Sequence, residues 1–381
     1  MKKAPTLIIN ARKIDADGVS ENFWMSMDTH IREIGTGSPP DTYANNTVDA
    51  KGGWLTPGFV DLHCHGGAGF SFAGDEEDLS RALEPHRVRG TTRTVLSLVS
   101  DSVESLARSL RTVARYAQKD KLVVGSHIEG PFLSQLHRGA HDPKVLAAPN
   151  PADLETLLDA SDGTLVQVTL APELDGAEYA IDTLIRRGVR VGIGHTDATY
   201  RVAQRAFDQG ANILTHAFNA MRPIHHREPG PLIAAFEDDR VTLEFILDGH
   251  HSATSIARLA FREAPGRVAL ITDAMSAAGG GDGEYRLGCH DVTVRDGRAV
   301  LRDTETLAGS TLTQDVALRF ALSEVGLSPV DAVTAVTLSP SRALGLENQI
   351  GLLRPGFVAD AVLLSPDWFV ERVWGQGERI L

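Results

Sequence analysis

Eight apolar segments, separated by stretches that favour helices, follow one another along most of this 381-residue chain. Valine, isoleucine and leucine dominate them, which is typical of parallel strands buried on both faces. In residues 102–118, apolar side chains recur every three or four positions, which predicts an amphipathic helix. Eight β/α units in a block of this length favour a (β/α)8 barrel, the TIM-barrel architecture. The predicted barrel strands are residues 58–62, 91–98, 122–128, 165–170, 189–194, 212–215, 241–247 and 267–272.

Both ends of the chain contain short strand-like pieces with turn residues between them. Examples are residues 6–10 and 46–49 at the start and residues 356–364 and 370–380 at the end. A segment of roughly 40 residues or fewer rarely buries a core of its own. We therefore expect an α/β chain in which residues 56–350 form the barrel. Residues 1–55 and 351–381 are expected to form one small β-sandwich domain together.

Composition narrows the class of function. The chain is 42% hydrophobic and 23% charged, as ordinary globular domains are, and no apolar run approaches the roughly 20 residues of a membrane span. Its start lacks the apolar stretch of a signal peptide, and two cysteines make no disulfide framework, so a cytoplasmic protein is expected. The net charge of −13 argues against nucleic acid or an anionic membrane as partner, but allows a small anionic substrate.

Histidines and acids stand where the predicted strands end. His63 and His65 close the first strand and share one face, because side chains alternate along a strand. Four further residues of these types lie at the ends of strands three, five, six and eight. They are Glu129, His195, His216 and Asp273. In a barrel of this kind, the carboxyl ends of the strands form one rim, which carries the active site.

Each of these residues alone would more often be structural than functional. Six of them on one rim predict a site for one or two divalent ions, since imidazole and carboxylate groups are typical zinc ligands. Cys64 points away from its flanking histidines and is expected to pack in the core. His127 faces the same way as Glu129 and could lie behind the ligands.

Loops after several strands add groups suited to a substrate. Gly66-Gly67-Ala68-Gly69 lets the backbone approach a ligand closely, although it also fits a plain turn. Arg227, in a polar loop after strand six, suits a phosphate group, although loop arginines are usually only solvated.

The chain resembles the N-acetylglucosamine-6-phosphate deacetylases of the amidohydrolase superfamily over nearly its whole length. The Glu-Gly-Pro and His-Ala-Phe-Asn-Ala-Met strings are much more specific than the His-x-His pair, which the whole superfamily shares. The matching segments are residues 57–61, 127–132, 194–196, 215–221, 248–251, 272–274, 307–310, 340–345 and 356–360.

The resemblance implies a role for each site residue. Glu129, His195 and His216 match the metal ligands common to the family. Some members lack the strand-one histidines and hold one ion, so His63 and His65 favour two ions, most simply Zn²⁺, with Glu129 bridging them. Asp273 matches the general acid/base and completes the ligand set, and His141 matches the group that polarises the scissile carbonyl. The matched substrate contacts are Ala140, His141, Asn219, Ala220, Arg227, His251, Leu307, Ala308 and Gly309.

The resemblance also implies the reaction and the assembly. The expected reaction is metal-dependent hydrolysis of N-acetyl-D-glucosamine 6-phosphate to D-glucosamine 6-phosphate and acetate, in amino-sugar catabolism or cell-wall recycling. In the family, the residues matching Arg227 and His251 reach the neighbouring subunit, so a homodimer is expected. Two alternatives remain open: an amidohydrolase acting on a cyclic amide or an N-acyl amino acid, and a metal-free inactive scaffold.

Overall fold

The computed structural model describes residues 5–40 and 46–381. Residues 1–4 and 41–45 of the predicted N-terminal β-structure lie outside the described residues. Eight parallel strands form the central sheet and follow one another in chain order. They are Phe59–Cys64, Thr91–Val99, Val123–Glu129, Leu165–Leu170, Arg190–Ile193, Ile213–Leu214, Thr242–Ile246 and Val268–Ile271, numbered here as barrel strands one to eight.

The barrel closes where its last strand meets its first. The Asp273 amide donates a hydrogen bond to the His63 carbonyl (2.8 Å), and the His65 amide donates to the Ala274 carbonyl (2.7 Å). Cys64 and Ala274 form an isolated parallel bridge at the same point. The seam of the barrel therefore runs through residues predicted to bind metal, and backbone bonds fix their relative positions.

Helices cover the outside of the barrel. Val103–Lys119 shows why such a segment folds as predicted: Ser102 caps its first turn, and Leu106, Leu110 and Val113 lie buried on one face. The helices are Glu76–Arg87, Val103–Lys119, Pro151–Ala160, Ala177–Arg186, Tyr200–Asp208, Gly230–Phe236, Thr254–Glu263, Gln314–Phe320, Pro329–Val336 and Leu338–Leu344, with a π-helical turn over Ala321–Val325. No helix among the described residues is both long and apolar enough to span a membrane.

A second sheet joins the two ends of the chain. Its strands are Thr6–Asp15, Gly18–Met27, Ile31–Thr36, Thr47–Asp49, Trp54–Pro57, Ala361–Leu364, Val370–Gly375 and Glu378–Arg379. Trp54–Pro57 and Ala361–Leu364 pair antiparallel and link the N-terminal strands to the C-terminal ones. The predicted α/β barrel with a β-structure built from both chain ends is thereby confirmed. The proposed domain boundaries near residues 56 and 350 stay a prediction.

A three-stranded antiparallel sheet after barrel strand eight was not predicted. It consists of Gly283–Leu287, His290–Arg295 and Arg298–Leu301. The sequence carried a signal for it, because Asp296-Gly297 is a typical two-residue hairpin turn, and both residues have the positive φ that such a turn needs (50° and 75°). This small sheet leans over the barrel rim and supplies Leu287 to the cavity described below. A two-stranded hairpin, Gly66–Gly67 with Phe70–Ser71, lies on the same rim.

Candidate metal centre and active site

The six residues predicted to bind metal come together at the carboxyl rim of the barrel. We call His63, His65, Glu129, His195, His216 and Asp273 the rim cluster. Every member is buried, with at most 9% of its surface exposed. The cluster forms because parallel barrel strands end at one level, so side chains far apart in sequence become neighbours.

Three members of the rim cluster sit in strained backbone. His195, His216 and Asp273 have φ values of 46°, 28° and 47°. This left-handed region is uncommon for residues with a side chain, and it persists only where the surrounding structure imposes it. Each of the three is the second residue after the end of a barrel strand. The turn in the backbone ends the strand and directs the side chain toward the centre of the rim.

Glu129 connects the two halves of the rim cluster. Its Oε1 lies 3.1 Å from Nε2 of both His195 and His216. Its Oε2 lies 3.3 Å from Nε2 of His65, which in turn lies 3.2 Å from Asp273 Oδ1. One carboxylate thus faces two groups of potential ligands, as a bridging ligand between two ions must.

The outer nitrogens of three of the four imidazoles are held by hydrogen-bond acceptors. Nδ1 of His63 bonds the Glu244 carboxylate (3.1 Å), Nδ1 of His65 bonds the Ser97 carbonyl (3.2 Å), and Nδ1 of His195 bonds the His137 carbonyl (2.9 Å). An acceptor at Nδ1 assigns the proton there and leaves the lone pair of Nε2 directed inward.

Those inward nitrogens approach one another closely. Nε2 of His63 lies 3.0 Å from Nε2 of His65, and Nε2 of His195 lies 2.9 Å from Nε2 of His216. Two lone pairs at this distance repel unless a cation or a proton lies near them. The donor set of four imidazoles and two carboxylates is the set that divalent transition metals prefer. The residues present therefore fit one or two such ions.

The charges of the rim cluster shift the pKa values of its members. Burial raises the pKa of Glu129, but the charge of His63 and hydrogen bonds from the other imidazoles outweigh burial and hold that pKa well below its usual range. Burial lowers the pKa of His63, and Glu129 more than offsets it, so the His63 pKa is raised. Burial lowers the pKa of His195 to about 4, which keeps that imidazole neutral. The anionic surroundings thus favour a positive charge beside His63, which a metal ion can supply in place of a proton.

The rim cluster opens into a cavity of about 450 Å³. His141 lies at its base, with Nε2 3.4 Å from Glu129 Oε2. The predicted substrate residues that line this cavity are Ala140, His141, Asn219, Ala220, His251, Leu307 and Gly309. Its volume suits a small polar molecule such as a phosphorylated sugar.

Two predicted substrate residues do not line the cavity. Ala308 is fully buried among the residues of the small three-stranded sheet. Arg227 lies outside the cavity in an exposed loop, where its Nη1 approaches His226 Nε2 (2.8 Å). In its own chain, Arg227 therefore makes no contact with the cavity.

His251 departs from the expectation that it reaches a neighbouring subunit. It lines the cavity of its own chain, because it lies only a few residues beyond Ile246, the end of barrel strand seven. Its Nδ1 lies 2.7 Å from Asp248 Oδ2. Burial lowers the pKa of His251, but the bond to Asp248 outweighs burial and raises that pKa above its usual value. The raised pKa favours the cationic form of an imidazole that faces a site otherwise carrying negative charge.

Several functional neighbours escaped the sequence analysis. Glu244 in barrel strand seven holds His63, and the His137 carbonyl holds His195. Neither belongs to a metal-binding motif, and only the position of Glu244 on the inner face of its strand could have suggested a role. His127 does lie behind the ligands, as anticipated, bonded to Ser97 Oγ and packed edge-on against His63 at 4.7 Å between ring centres.

Comparisons with known proteins agree with this geometry. The model of the amidohydrolase family matches residues 54–378. An N-acetylgalactosamine-6-phosphate deacetylase from Escherichia coli O157:H7 is 35% identical over 98% of this chain and 99% of its own. An N-acetylglucosamine-6-phosphate deacetylase from Rattus norvegicus is 36% identical over 88% of this chain and 86% of its own.

A solved structure is similar throughout. It is an aspartate-to-alanine variant of the N-acetyl-D-glucosamine-6-phosphate deacetylase from Mycobacterium smegmatis, in complex with N-acetyl-D-glucosamine-6-phosphate. It superposes with a TM-score of 0.93 at 40% identity, and the match covers 100% of both chains. From its matching family model and these relatives, the chain belongs to the amidohydrolase family, within the group of amino-sugar-6-phosphate deacetylases.

Proposed function

We propose that this protein hydrolyses the acetamide of N-acetyl-D-glucosamine 6-phosphate and releases acetate and D-glucosamine 6-phosphate. The observation that carries the proposal is that Asp273, a member of the rim cluster, and His141, which contacts Glu129 of that cluster, both line a cavity that fits a sugar phosphate. The names of the relatives at 35–40% identity support the same reaction.

The rim cluster would hold the metal, and we propose two ions, most simply Zn²⁺. Glu129, His195 and His216 would hold one ion, and His63 and His65 the other, with Glu129 shared. A bound divalent ion lowers the pKa of water toward 7 and so supplies hydroxide at neutral pH. Metal identity is open to test, because iron, manganese and cobalt accept the same ligands.

Asp273 is the proposed general base and acid. Its carboxylate takes the proton of the attacking water and then returns it to the nitrogen of the departing amine, which is a poor leaving group as an anion. Burial raises the pKa of Asp273, but the hydrogen bond from His65 and the charge of His63 outweigh it, so the pKa is lowered and the carboxylate is ionised at neutral pH. That is the form a base needs.

His141 is proposed to polarise the acetyl carbonyl. It is 5% exposed, and its Nδ1 has no hydrogen-bond partner among the described residues. No acceptor at Nδ1 therefore fixes the tautomer, and the proton can lie on Nε2. A hydrogen bond from Nε2 to the carbonyl oxygen would stabilise the negative charge that develops there.

The phosphate is proposed to bind at the mouth of the cavity. His251, Asn219 and the backbone of Ala220 would contact the sugar phosphate within one chain, with Leu307 and Gly309 beside the sugar. Arg227 would come from the partner in a homodimer, since in its own chain it lies in an exposed loop outside the cavity. A cytoplasmic site of action fits two free cysteines and a phosphorylated substrate.

A second candidate substrate is N-acetyl-D-galactosamine 6-phosphate. It is favoured because the relative from Escherichia coli named for that activity matches 98% of this chain. The two sugars differ only in the orientation of one hydroxyl group, so the metal centre would treat their acetamides alike.

A substrate panel tests the proposal. Acetate release is measured with both 6-phosphates, with unphosphorylated N-acetylglucosamine, and with an N-acyl amino acid and a cyclic amide. We expect activity on a 6-phosphate, little on the free sugar, and loss of activity on chelation that added Zn²⁺ restores. Turnover of the amide substrates alone would favour a different amidohydrolase, and a metal-free protein inactive on every substrate would favour the inactive scaffold.

A further inference from the structure

Glu244 is a carboxylate with no role in the reaction described above. It lies in barrel strand seven, and its side chain is fully buried inside the barrel, behind the rim cluster. Burying a charged group is costly unless that group is paired and hydrogen-bonded. A carboxylate in the interior of the barrel therefore needs groups that donate hydrogen bonds to it or balance its charge.

Every partner of the Glu244 carboxylate is an N–H donor. Oε2 accepts from Nδ1 of His63 (3.1 Å) and from the backbone amide of His216 (3.4 Å). Oε1 accepts from Nε2 of Gln167 (2.8 Å), which is itself fully buried. Three N–H donors thus face the two carboxylate oxygens, yet no lysine or arginine of the described residues pairs with them. The rim cluster, which Glu244 reaches through His63, is the nearest place where a cation could balance its charge.

We propose that Glu244 is a positioning residue that makes the second metal ion bind, by orienting His63 and by supplying negative charge to the ion behind it. The inference deepens the proposed function, since it rests on the two-ion site but not on the identity of the substrate.

Orientation is the first part. The bond from His63 Nδ1 to Glu244 assigns the proton to Nδ1 and directs Nε2 toward His65 and Glu129. Gln167 fixes Glu244 in turn, because its amide nitrogen holds the other carboxylate oxygen. Without this chain of bonds, the ring of His63 could rotate or carry its proton on Nε2, and either change removes a ligand.

Charge is the second part. Glu129, Asp273 and Glu244 carry three negative charges, and the four imidazoles are neutral when they act as ligands. One divalent ion leaves the centre with a net charge of −1, and a second brings it to +1, which an anionic substrate or hydroxide cancels. Without Glu244, one ion already neutralises the centre, so a second ion is opposed by the charge of the first.

Two substitutions separate orientation from charge. Glu244→Gln removes the charge but leaves an oxygen that can accept from His63. Its amide nitrogen would then face Gln167, whose own Oε1 has no partner among the described residues and is free to turn toward it. Glu244→Ala removes both the charge and the hydrogen bond.

For the test, metal is first removed from the protein with a chelator. The metal-free protein is then titrated with Zn²⁺ in a calorimeter and with Co²⁺ by visible absorption. We expect two binding events in the wild type. In Glu244→Gln one event should weaken about tenfold, and in Glu244→Ala about 100-fold, the range for losing a partner of a metal-bound histidine. The other event should be unchanged. Excess metal should restore the Co²⁺ spectrum of Glu244→Gln, which a merely structural role would not predict.

Two further variants keep the test decisive. Asp15→Asn changes an equally buried acid in the second sheet, where Asp15 pairs with Lys13 (2.9 Å), and should lower Tm while leaving both binding events intact. Gln167→Ala frees Glu244 without removing it and should weaken the same event by up to about tenfold.

Wild-type affinities for both ions in Glu244→Ala would overturn the inference, as would equal weakening of both events, or a single event that is the same in wild type and variant. If Glu244→Ala fails to fold, unchanged binding in Gln167→Ala overturns it instead. Because no substrate is used, failure here is distinct from failure of the proposed reaction.

Discussion

Replacing Asp273 by asparagine tests the proposed chemistry most directly. Three carboxylates of the described residues line the cavity: Glu129, Asp273 and Glu305. Glu129 is held by imidazoles and its pKa lies well below its usual range, so it is a poor base. Glu305 pairs with Arg298 (2.9 Å), and its side chain is 87% exposed, so it is remote from the buried centre. Neither can take over the proton transfer.

The size of the effect follows from this lack of a substitute. Loss of a positioned acid or base lowers kcat by about 10²–10⁴, and here the upper half of that range is expected because the same group serves both proton transfers. A loss of about 10³–10⁴ corresponds to roughly 4–5.5 kcal/mol in the activation free energy. Asparagine has the shape of aspartate and can keep the contact with Nε2 of His65 that Asp273 makes, so the fold and much of the metal binding should survive.

The assay measures kcat from acetate release, together with metal content and substrate binding by calorimetry. Asp101→Asn is the matched control. Asp101 follows barrel strand two at the same rim but is exposed, and its one hydrogen-bond partner among residues 5–40 and 46–381 is the Ser102 amide (2.7 Å). It should retain kcat within about threefold, as surface changes away from a site usually do. An Asp273→Asn variant with full metal content and a kcat within tenfold of wild type would refute the assignment.

Three further outcomes are expected. A His63→Ala/His65→Ala double variant should lose about one ion per chain by elemental analysis, and unchanged metal content would make these histidines structural. Arg227→Ala should lower kcat/KM for the 6-phosphate by about 10–100-fold and leave kcat/KM for the free sugar unchanged. When Arg227→Ala subunits are mixed with Asp273→Asn subunits, activity should return if Arg227 acts across a dimer, and not otherwise. The raised pKa of His251 means that its charge is present at low pH and is lost as pH rises through that pKa. The kcat/KM for the 6-phosphate should therefore fall as pH rises through the same pKa, and His251→Gln should flatten that fall.

The barrel was predictable because its strands are buried on both faces. Thr91–Val99 and Phe59–Cys64 are buried almost throughout, and continuous burial requires a continuous apolar sequence. The ends of the elements were less predictable: barrel strand six, expected over residues 212–215, spans only Ile213–Leu214. The small sheet over residues 283–301 was missed because its strands are half exposed and polar, so that only the Asp296-Gly297 turn marked it.

The metal residues were predictable for a different reason. A ligand must stand at the end of a strand, and His195 and Asp273 each follow an apolar run that ends abruptly in a charged or polar group. Glu244 gives no such signal, because it stands within a strand rather than after it and takes its meaning from His63, 181 positions earlier. The ligand residues at the rim can therefore be recognised from the sequence next to them, whereas the hydrogen bonds that orient them join residues far apart in sequence. Glu244 reaches His63 only because the strands close into a barrel. The role of this contact therefore has to be measured in the folded protein, as the affinity of the Glu244 variants for metal.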